Sequence, residues 1–218
     1  NYYTNEEITI PLDPTQTPGE NAQRYFAKYN KQKRTFEALT ELIQETADDI
    51  QYLESISNAL DIALSEADLA QIKEELMQSG YIRRKHTKKK VKLTSKPMHY
   101  ISSDGYDMYV GKNNLQNEEL TFSFANGNDW WFHAKGAPGS HVIVKSGGDE
   151  LPDRTFEEAG RLAAYYSKNR GADKVEIDYI QKKHVKKPNG AKPGFVVYYT
   201  NYSLVIDSDI SNIKNVQD

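Results

Sequence analysis

The chain has 218 residues, with 28 basic and 31 acidic side chains and a formal net charge of −3. This length suits one domain of ordinary size plus an extension, and the charge total by itself predicts neither a nucleic-acid binder nor a membrane protein. The absence of cysteine excludes a disulfide framework and cysteine-ligated metal sites, and it is compatible with a reducing cytoplasm. No apolar run reaches the length of a membrane span, so we expect no membrane insertion.

The N-terminal residues 1–16 predict an irregular or short extended segment. Glu7–Ile10 has strand character, which Pro11 and Pro14 end. The N-terminus does not resemble a signal peptide and lacks an initiator Met, so we expect the chain to be a piece of a longer protein.

A long helix is predicted to begin after Thr17. Thr17 suits the N-cap, Pro18 suits the first helical position, and Glu20 can return a hydrogen bond to the cap. Residues seven apart then form two largely apolar series, which together we call the seam. The first series is Tyr29, Phe36, Ile43, Ile50, Ser57 and Leu64, and the second is Gln32, Leu39, Thr46, Leu53, Leu60 and Ala67. This pattern predicts a coiled-coil helical arm within residues 1–80.

A second capping box is predicted at Ser65-Glu66-Ala67-Asp68, which starts a shorter helix that ends at Gly80. A continuous helix through Ser65 is the competing interpretation. A short return helix cannot cover the seam from Phe26 to Leu60. We therefore expect its partner either upstream in a longer chain or in a second copy of this chain, as a homodimer.

Residues 81–97 form a basic linker. A charge run is often only a solvated connection, but this density of cations suits the binding of a polyphosphate, whose affinity would fall steeply with salt. The basic side chains of the linker are Arg83, Arg84, Lys85, Lys88, Lys89, Lys90, Lys92 and Lys96.

Residues 98–210 predict a small mixed α/β domain, and residues 211–218 predict a C-terminal tail. The first two and the last two of its strands are expected to form hairpins. The predicted strands are Tyr100–Ile101, Tyr106–Val110, Trp130–Ala134, His141–Val144, Val175–Ile180, Phe195–Tyr199 and Tyr202–Ile206, and the predicted helices are Lys112–Thr121 and Thr155–Asn169. Many short strands with two helices give an α+β fold class.

The loop between the two central strands is a candidate anion cradle. Lys135 supplies a cation, and Gly136 and Gly139 let a ligand approach the backbone amides. Ser140, His133 and His141 add polar groups, and Trp131 adds a ring. A purely structural loop is the alternative.

The helix after Gly111 offers a second set of candidate contacts. Its first-turn amides and Lys112 are expected to face an anion. Asn113, Asn114, Gln116 and Asn117 carry amides that can bond base edges, and the alternative is that some of them only cap the helix.

A second basic cluster occupies residues 182–192, which we call the lysine loop. It includes Lys186 and Lys187 and a Pro-Asn-Gly turn. Such a cluster is often only a soluble hairpin tip. Two basic clusters with tryptophans and tyrosines nearby in sequence favour RNA binding. We expect their cations to converge beside the glycines of the central loop.

We expect no enzyme and no cofactor. Asp129, His133 and His141 match no metal-binding spacing, and Ser140 beside His141 lacks the strained elbow and oxyanion hole of a hydrolase.

Three blocks in order resemble the signature of the NFACT-R domain. They are Gly111-Lys112-Asn113-Asn114-x-Gln116-Asn117, Asp129-x-Trp131-x-His133 and Pro138-Gly139-Ser140-His141-Val142. The segment from Leu12 to Lys31 is similar to the start of the second coiled-coil helix in NFACT-family proteins. The resemblance covers nearly the whole chain.

The resemblance implies a fold with a coiled-coil helix followed by an NFACT-R domain. It also implies a cytoplasmic ribosome-quality-control role, in which the full protein binds stalled large ribosomal subunits and tRNA and supports C-terminal alanine tailing. Some relatives are described instead as surface adhesins that bind fibronectin or fibrinogen, so a host-protein adhesin at the cell surface stays open as the alternative. The residues that we expect to contact RNA are Arg83, Arg84, Lys85, Lys88, Lys89, Lys90, Lys112, Asn113, Asn114, Gln116, Asn117, Trp131, His133, Lys135, Gly139, Ser140, His141, Lys186 and Lys187.

Overall fold

The structure is a computed structural model that describes residues 1–83 and 94–216. The chain divides into two compact units, Asn1–Ile50 and Gln51–Asp218. The α-helices are α1 (Pro18–Ile62), α2 (Glu66–Gln78), α3 (Asn114–Glu119) and α4 (Asp153–Tyr165). The strands are β1 (Met98–Ile101), β2 (Asp107–Val110), β3 (Trp130–Ala134), β4 (Val142–Val144), β5 (Val175–Gln181), β6 (Tyr202–Ile206) and β7 (Lys214–Asn215). The α+β class is confirmed.

The first unit consists of an irregular segment and most of α1. The predicted capping box is confirmed, because Thr17 N donates to Glu20 Oε2 at 2.7 Å and Glu20 N donates to Thr17 Oγ1 at 3.3 Å. The irregular segment predicted at residues 1–16 is confirmed, and Glu7–Ile10 forms no strand despite its strand character. Individual hydrogen bonds hold the segment against the helix instead. For example, Asp13 N donates to Asn21 Oδ1 at 2.8 Å.

The seam is exposed along α1 in this unit. Phe36 and Ile43 have 72% and 68% of their surface exposed, and Tyr29 and Leu39 are more than half exposed. The partner that covers the seam stays a prediction. No helix in the described part of the chain is long and apolar enough to cross a membrane.

The second unit begins with a helical hairpin made by the end of α1 and by α2. Ser65 caps α2 in a capping box with Asp68, so the helix is interrupted there, as the sequence predicts, and the continuous helix is wrong. The box works because each side chain satisfies a backbone amide that the helix end leaves without an intrahelical partner. Tyr52, Ile56 and Ile72 form the core between the two helices.

The strands of the second unit form one seven-stranded antiparallel sheet in the order β6-β5-β3-β4-β2-β1-β7. Alternate residues of each strand point to opposite faces, so β3 contributes to two cores. Phe132 packs on the face that α4 covers, with Leu162 and Val144. Trp131 packs on the other face, with Leu120 after α3 and with Val185. We call this second face the α3 face.

Two predicted elements differ from the structure. Phe195–Tyr199 is not a strand of a hairpin with Tyr202–Ile206, because β6 pairs with β5 and Val197 makes a single bridge to Lys186. This segment packs its apolar side chains across the α3 face instead. The helix predicted at Lys112–Thr121 begins only at Asn114, with Asn113 as its N-cap, and continues as a π-helical turn, Leu120–Phe124.

Two glycines allow close packing. A Cβ atom at Gly160 of α4 would lie 2.9 Å from Leu204 Cδ1 of β6. A Cβ atom at Gly111 would overlap Asn117 Oδ1 and lie 3.0 Å from Asn117 N. Gly111 therefore lets the chain turn tightly against α3.

We predict that Gly111→Ala lowers the free energy of unfolding by about 1–3 kcal/mol, because α3 must move to admit the methyl group. Gly127→Ala is the matched control, since its Cβ would meet only Lys183 Cβ at an ordinary 3.6 Å. Urea unfolding of both variants checks the prediction. Equal stability of the two variants would contradict it.

Candidate nucleic-acid interface

A buried polar network joins α2 to the block Lys112–Gln116. Lys112 Nζ lies 3.1 Å from Asp68 Oδ1. Gln71 Oε1 accepts hydrogen bonds from Asn113 Nδ2 at 2.9 Å and from Gln116 Nε2 at 2.7 Å. Although burial opposes it, hydrogen bonds from Ser95, the Leu64 amide, Ser65 and Lys112 hold the pKa of Asp68 at about 2. Asp68 is therefore charged at neutral pH and pairs with Lys112.

Glu75 lies in the same network with none of its surface exposed. Its Oε1 atom accepts hydrogen bonds from Tyr52 OH and Asn114 Nδ2, each at 2.9 Å. Burial raises the pKa of Glu75, and the hydrogen bonds from Asn114 and Tyr52 limit the shift. The first-turn amides of α3 at Asn114 and Leu115 also favour its charged form. The start of α3 thus faces the carboxyl group of Glu75.

The amide side chains predicted to contact RNA are engaged in internal contacts. Asn113 caps α3, and Asn114 and Gln116 bond to α2. Asn117 Oδ1 accepts the His141 amide at 2.9 Å, which ties α3 to the start of β4. All four side chains are buried. A role of these residues and of Lys112 in binding RNA stays a prediction, while their role in joining α2, α3 and the sheet is visible.

The rings of the central loop pack together on the α3 face. His133 stacks on Trp131 with 5.6 Å between ring centroids, and His141 meets both rings edge-on. His141 Nδ1 lies 2.8 Å from Thr121 Oγ1. Burial lowers the pKa of His133 to about 4 and lowers that of His141 well below its usual range. Both imidazoles are therefore neutral at pH 7 and add no positive charge.

The backbone of the central loop is also tied to the rest of the domain. Ser140 N donates to Tyr166 O at 2.9 Å, and Gly139 bridges to Ser167. Lys135 at the loop surface forms an ion pair with Glu176 at 2.5 Å, so much of its charge is neutralised. Contacts from Lys135, Gly139, Ser140, Trp131, His133 or His141 to RNA stay predictions.

The lysine loop and the central loop do not share one notch. Lys135 follows β3 and Asp129 precedes it, so they lie roughly 20 Å apart along the strand. Lys182 follows β5 and donates its amide to Asp129 O at 2.8 Å. The expectation that the cations converge beside Gly136 and Gly139 is therefore wrong for the lysine loop, because that loop and the central loop lie at opposite ends of β3.

The lysine loop presents several exposed basic side chains. It opens with a 3-10 turn, Lys182–His184, whose Lys183 amide donates to Gly127 O at 2.9 Å. Lys183, His184 and Lys186 are exposed. Lys187 forms an ion pair with Glu118 at 2.7 Å.

The far end of the lysine loop meets the helical hairpin. Lys192 Nζ donates to Tyr81 OH at 2.9 Å and lies 4.6 Å from the centroid of the Tyr52 ring. Tyr81 stacks on Tyr52. Arg83 follows nearby in the chain and is exposed. The other predicted contacts of the linker, Arg84, Lys85, Lys88, Lys89 and Lys90, lie outside the described residues.

The sequence reasoning missed Lys145 and the residues around Asp129. The Asp129 carboxylate is buried, and it accepts hydrogen bonds from the amides of Asn126 at 2.7 Å and Ser146 at 3.2 Å. Lys145 Nζ donates to the same carboxylate and lies 4.8 Å from the centroid of the Phe124 ring. The sequence feature that could have indicated these residues is the amide-rich segment Asn126-Gly127-Asn128, whose composition is that of an ordinary turn.

No metal centre is apparent within residues 1–83 and 94–216, where no group of three or more histidine or acidic side chains is placed to hold an ion. The 3-10 turn that carries Lys182 and Lys183 is fixed by hydrogen bonds from its backbone to the loop Asn126–Asp129.

Two family models together match most of the chain. The model for the NFACT N-terminal and middle domains matches residues 1–95, and the model for the NFACT protein RNA-binding domain matches residues 96–200. The chain belongs to the NFACT family.

Named relatives are similar to the whole chain. The Rqc2 homolog RqcH of Streptococcus pneumoniae serotype 2 is 46% identical over 218 residues, which are 100% of this chain and 39% of that protein. RqcH of Bacillus subtilis is 42% identical over 220 residues, which cover 98% of this chain and 38% of that protein. The chain therefore spans about two fifths of the length of these curated relatives.

A solved structure is similar in fold. It is that of the C-terminal part of the fibronectin/fibrinogen-binding protein from Streptococcus suis. It matches with a TM-score of 0.82 and 43% sequence identity, over 92% of this chain and 81% of that one.

We predict that the stability difference between Glu75→Gln and the unchanged protein depends on pH. The folded-state pKa of Glu75 is raised, so its stabilising contribution is complete below the unfolded value, near 4.5, and is lost as pH rises through the folded value. The variant should therefore gain stability relative to the parent between pH 4.5 and 8, as measured by urea unfolding. Exposed Glu157→Gln is the control. A difference that stays constant over this range would contradict the prediction.

Proposed function

We propose that this chain is an RNA-binding module of a cytoplasmic ribosome-quality-control protein. In this proposal the full protein binds stalled large ribosomal subunits and tRNA and supports C-terminal alanine tailing. The observation that carries it is the exposed, rigidly held lysine loop on the domain that matches the family's RNA-binding model. The similarity to RqcH supports the wider setting.

The electrostatics of the lysine loop suit a phosphate backbone. Lys183 and Lys186 are exposed, and no carboxylate within ion-pair distance of either is found in the described part of the chain. The 3-10 turn is anchored through its backbone, so phosphate binding costs the loop little ordering entropy. Each phosphate that these cations neutralise releases counterions, which favours association at low salt.

We propose that the chain acts by binding and carries out no chemical step. Two observations support this proposal: His141 is buried against Thr121, and the Ser140 side chain is buried beside the loop backbone. Neither group is presented to a substrate at the surface.

Reversing three charges of the lysine loop should weaken RNA binding. We predict that Lys182→Glu, Lys183→Glu and Lys186→Glu together lower the affinity for tRNA or large-subunit RNA fragments about 10- to 100-fold at low salt. The log–log salt slope should become shallower by about two, because each lost phosphate contact removes roughly 0.7–0.9 from it. Fluorescence anisotropy over a salt series measures both quantities.

The matched control reverses Lys28, Lys31 and Lys33 on the exposed surface of α1, which changes the net charge equally. A second variant reverses Lys88, Lys89 and Lys90 with Lys186 and Lys187. If the lysine-loop and α1 triple variants bind RNA equally well, the lysine loop is not the interface. If neither the lysine-loop triple variant nor the five-residue variant weakens RNA binding, the proposed function fails.

A second candidate function is binding of a host glycoprotein. It is favoured by the 43% identity to the C-terminal part of a protein described as fibronectin/fibrinogen-binding. Exposed tyrosines such as Tyr199 and Tyr202, together with the exposed seam, offer ring-rich surface. This function predicts saturable binding to purified fibronectin or fibrinogen that survives nuclease treatment and the lysine-loop charge reversal. Well-folded protein without measurable affinity for either glycoprotein would exclude it.

A further inference from the structure

A small notch lies beside the 3-10 turn of the lysine loop. Its walls are the loop Asn126–Asp129 and the turn Ser146–Asp149, and its volume is about 200 Å³. This space is comparable to that of one planar nucleobase and far smaller than a helical RNA segment. The lining residues are Asn126, Gly127, Asn128, Asp129, Gly147 and Gly148.

The walls of the notch are fixed before any ligand arrives. The Asp129 carboxylate holds the amide of Asn126 from one wall and the amide of Ser146 from the other. Ser146 Oγ donates to Asn128 O at 3.0 Å, which joins the walls a second time. Gly147 and Gly148 adopt φ values of 64° and 99°. The tight turn needs these positive values, and glycine adopts them without strain because it has no Cβ atom. Binding in the notch therefore requires little rearrangement.

The rim of the notch carries two exposed amide side chains that are free to bond a ligand. Asn126 and Asn128 are exposed, and neither side chain has a hydrogen-bond partner among the residues that the structure describes. Each amide offers donors and an acceptor, the groups needed to bond the edge of a base. The buried charge of Asp129 is balanced by Lys145, so the floor is not repulsive to a nucleic acid.

The two sides of the notch differ in charge. Lys183 lies against Gly127, and its backbone amide is bonded there. Asp149 lies at the end of the opposite turn and is exposed. A phosphate is therefore favoured on the lysine side and disfavoured beside Asp149.

From this arrangement we propose that the notch receives one unpaired nucleobase of single-stranded RNA. Asn126 and Asn128 bond its edge, while the adjoining phosphate lies on Lys182 and Lys183. A duplex is disfavoured here, because its bases are stacked and their edges are already paired. The inference rests on the proposed function and adds to it the kind of RNA and the place where a base is held.

The test compares single-stranded and duplex RNA. We expect the double variant Asn126→Ala and Asn128→Ala to bind a fluorescein-labelled 12-nucleotide RNA of mixed sequence about tenfold more weakly, a loss within the range for a bidentate base contact. Its affinity for a 12-base-pair RNA duplex should stay unchanged. The control variant, Asn169→Ala with Asn212→Ala, removes two exposed amides outside the lysine loop and should bind both RNAs like the parent.

Two further measurements sharpen the result. Asp149→Asn should tighten single-strand binding about two- to threefold at low salt, because it removes the negative charge at the rim. A single-stranded RNA containing 4-thiouridine, crosslinked to the unchanged protein, should label the peptide that contains residues 126–129. Crosslinks confined to other segments would overturn the notch site without requiring any variant to fold.

The outcomes separate the two proposals. If the lysine-loop reversal weakens RNA binding but the Asn126 and Asn128 variant binds single strands normally, the notch site fails and the proposed function stands. Equal weakening of single-strand and duplex binding by that variant also excludes a base-specific notch. If the unchanged protein binds neither RNA at low salt, the proposed function fails with it.

Discussion

The buried hydrogen-bonded network between α2 and the block Lys112–Gln116 is the contact on which the second unit depends. It places a charged pair, Asp68 and Lys112, and a buried carboxylate, Glu75, where they are sheltered from water. Such a network stabilises the structure only if nearly all of its members are satisfied, because a buried polar group without a partner is costly. Ser95 and Lys112 bond to Asp68, and Tyr52 and Asn114 bond to one oxygen of Glu75. The other oxygen, Glu75 Oε2, has no hydrogen-bond partner among the described residues. The network therefore specifies one packing orientation of the helical hairpin on α3. An apolar contact, which is not directional, would specify that orientation less strictly.

The same network extends to the sheet through one residue. Asn117 bonds the backbone on both sides of Ser140, so the position of α3 is linked to the central loop and β4. That loop is tied to the rest of the domain, and its histidines contribute packing and carry no charge at neutral pH. Exposed cations lie at the other end of β3, where the lysine loop meets the loop Asn126–Asp129. In the proposed function, support and RNA recognition are thus separated along a single strand.

Local signals predicted much of the fold. The capping boxes at Thr17 and Ser65, the β1–β2 hairpin and the strands around Trp131 all depend on neighbouring residues, which the sequence displays directly. The pairing of β6 with β5 could not be predicted in this way, because its partner lies more than 20 residues upstream and the nearer segment, Phe195–Tyr199, has equal strand character. The π-helical turn after α3 likewise depends on packing against Trp131 and Ile143.

The candidate site was harder to predict for a related reason. Both basic clusters are obvious in the sequence, but the end of β3 at which the lysine loop lies depends on the pairing of β5 with β3. Polar residues at 113–117 look identical in sequence whether they bind a ligand or bond to α2, and only the position of Gln71 and Glu75 distinguishes the two. The Asn126 and Asn128 amides were overlooked because a turn of this composition is common at any surface.

The contact of Gly160 with Leu204 has a consequence for how this domain can diverge among relatives. Helix and edge strand approach so closely there that a methyl group at 160 would displace Leu204. An alanine at 160 requires only that the end of the flexible Leu204 side chain turn aside, whereas a bulkier residue at 160 calls for a smaller one at 204. Where both positions carry large side chains, the helix would have to lie farther from β6, with a different core beneath the same arrangement of strands.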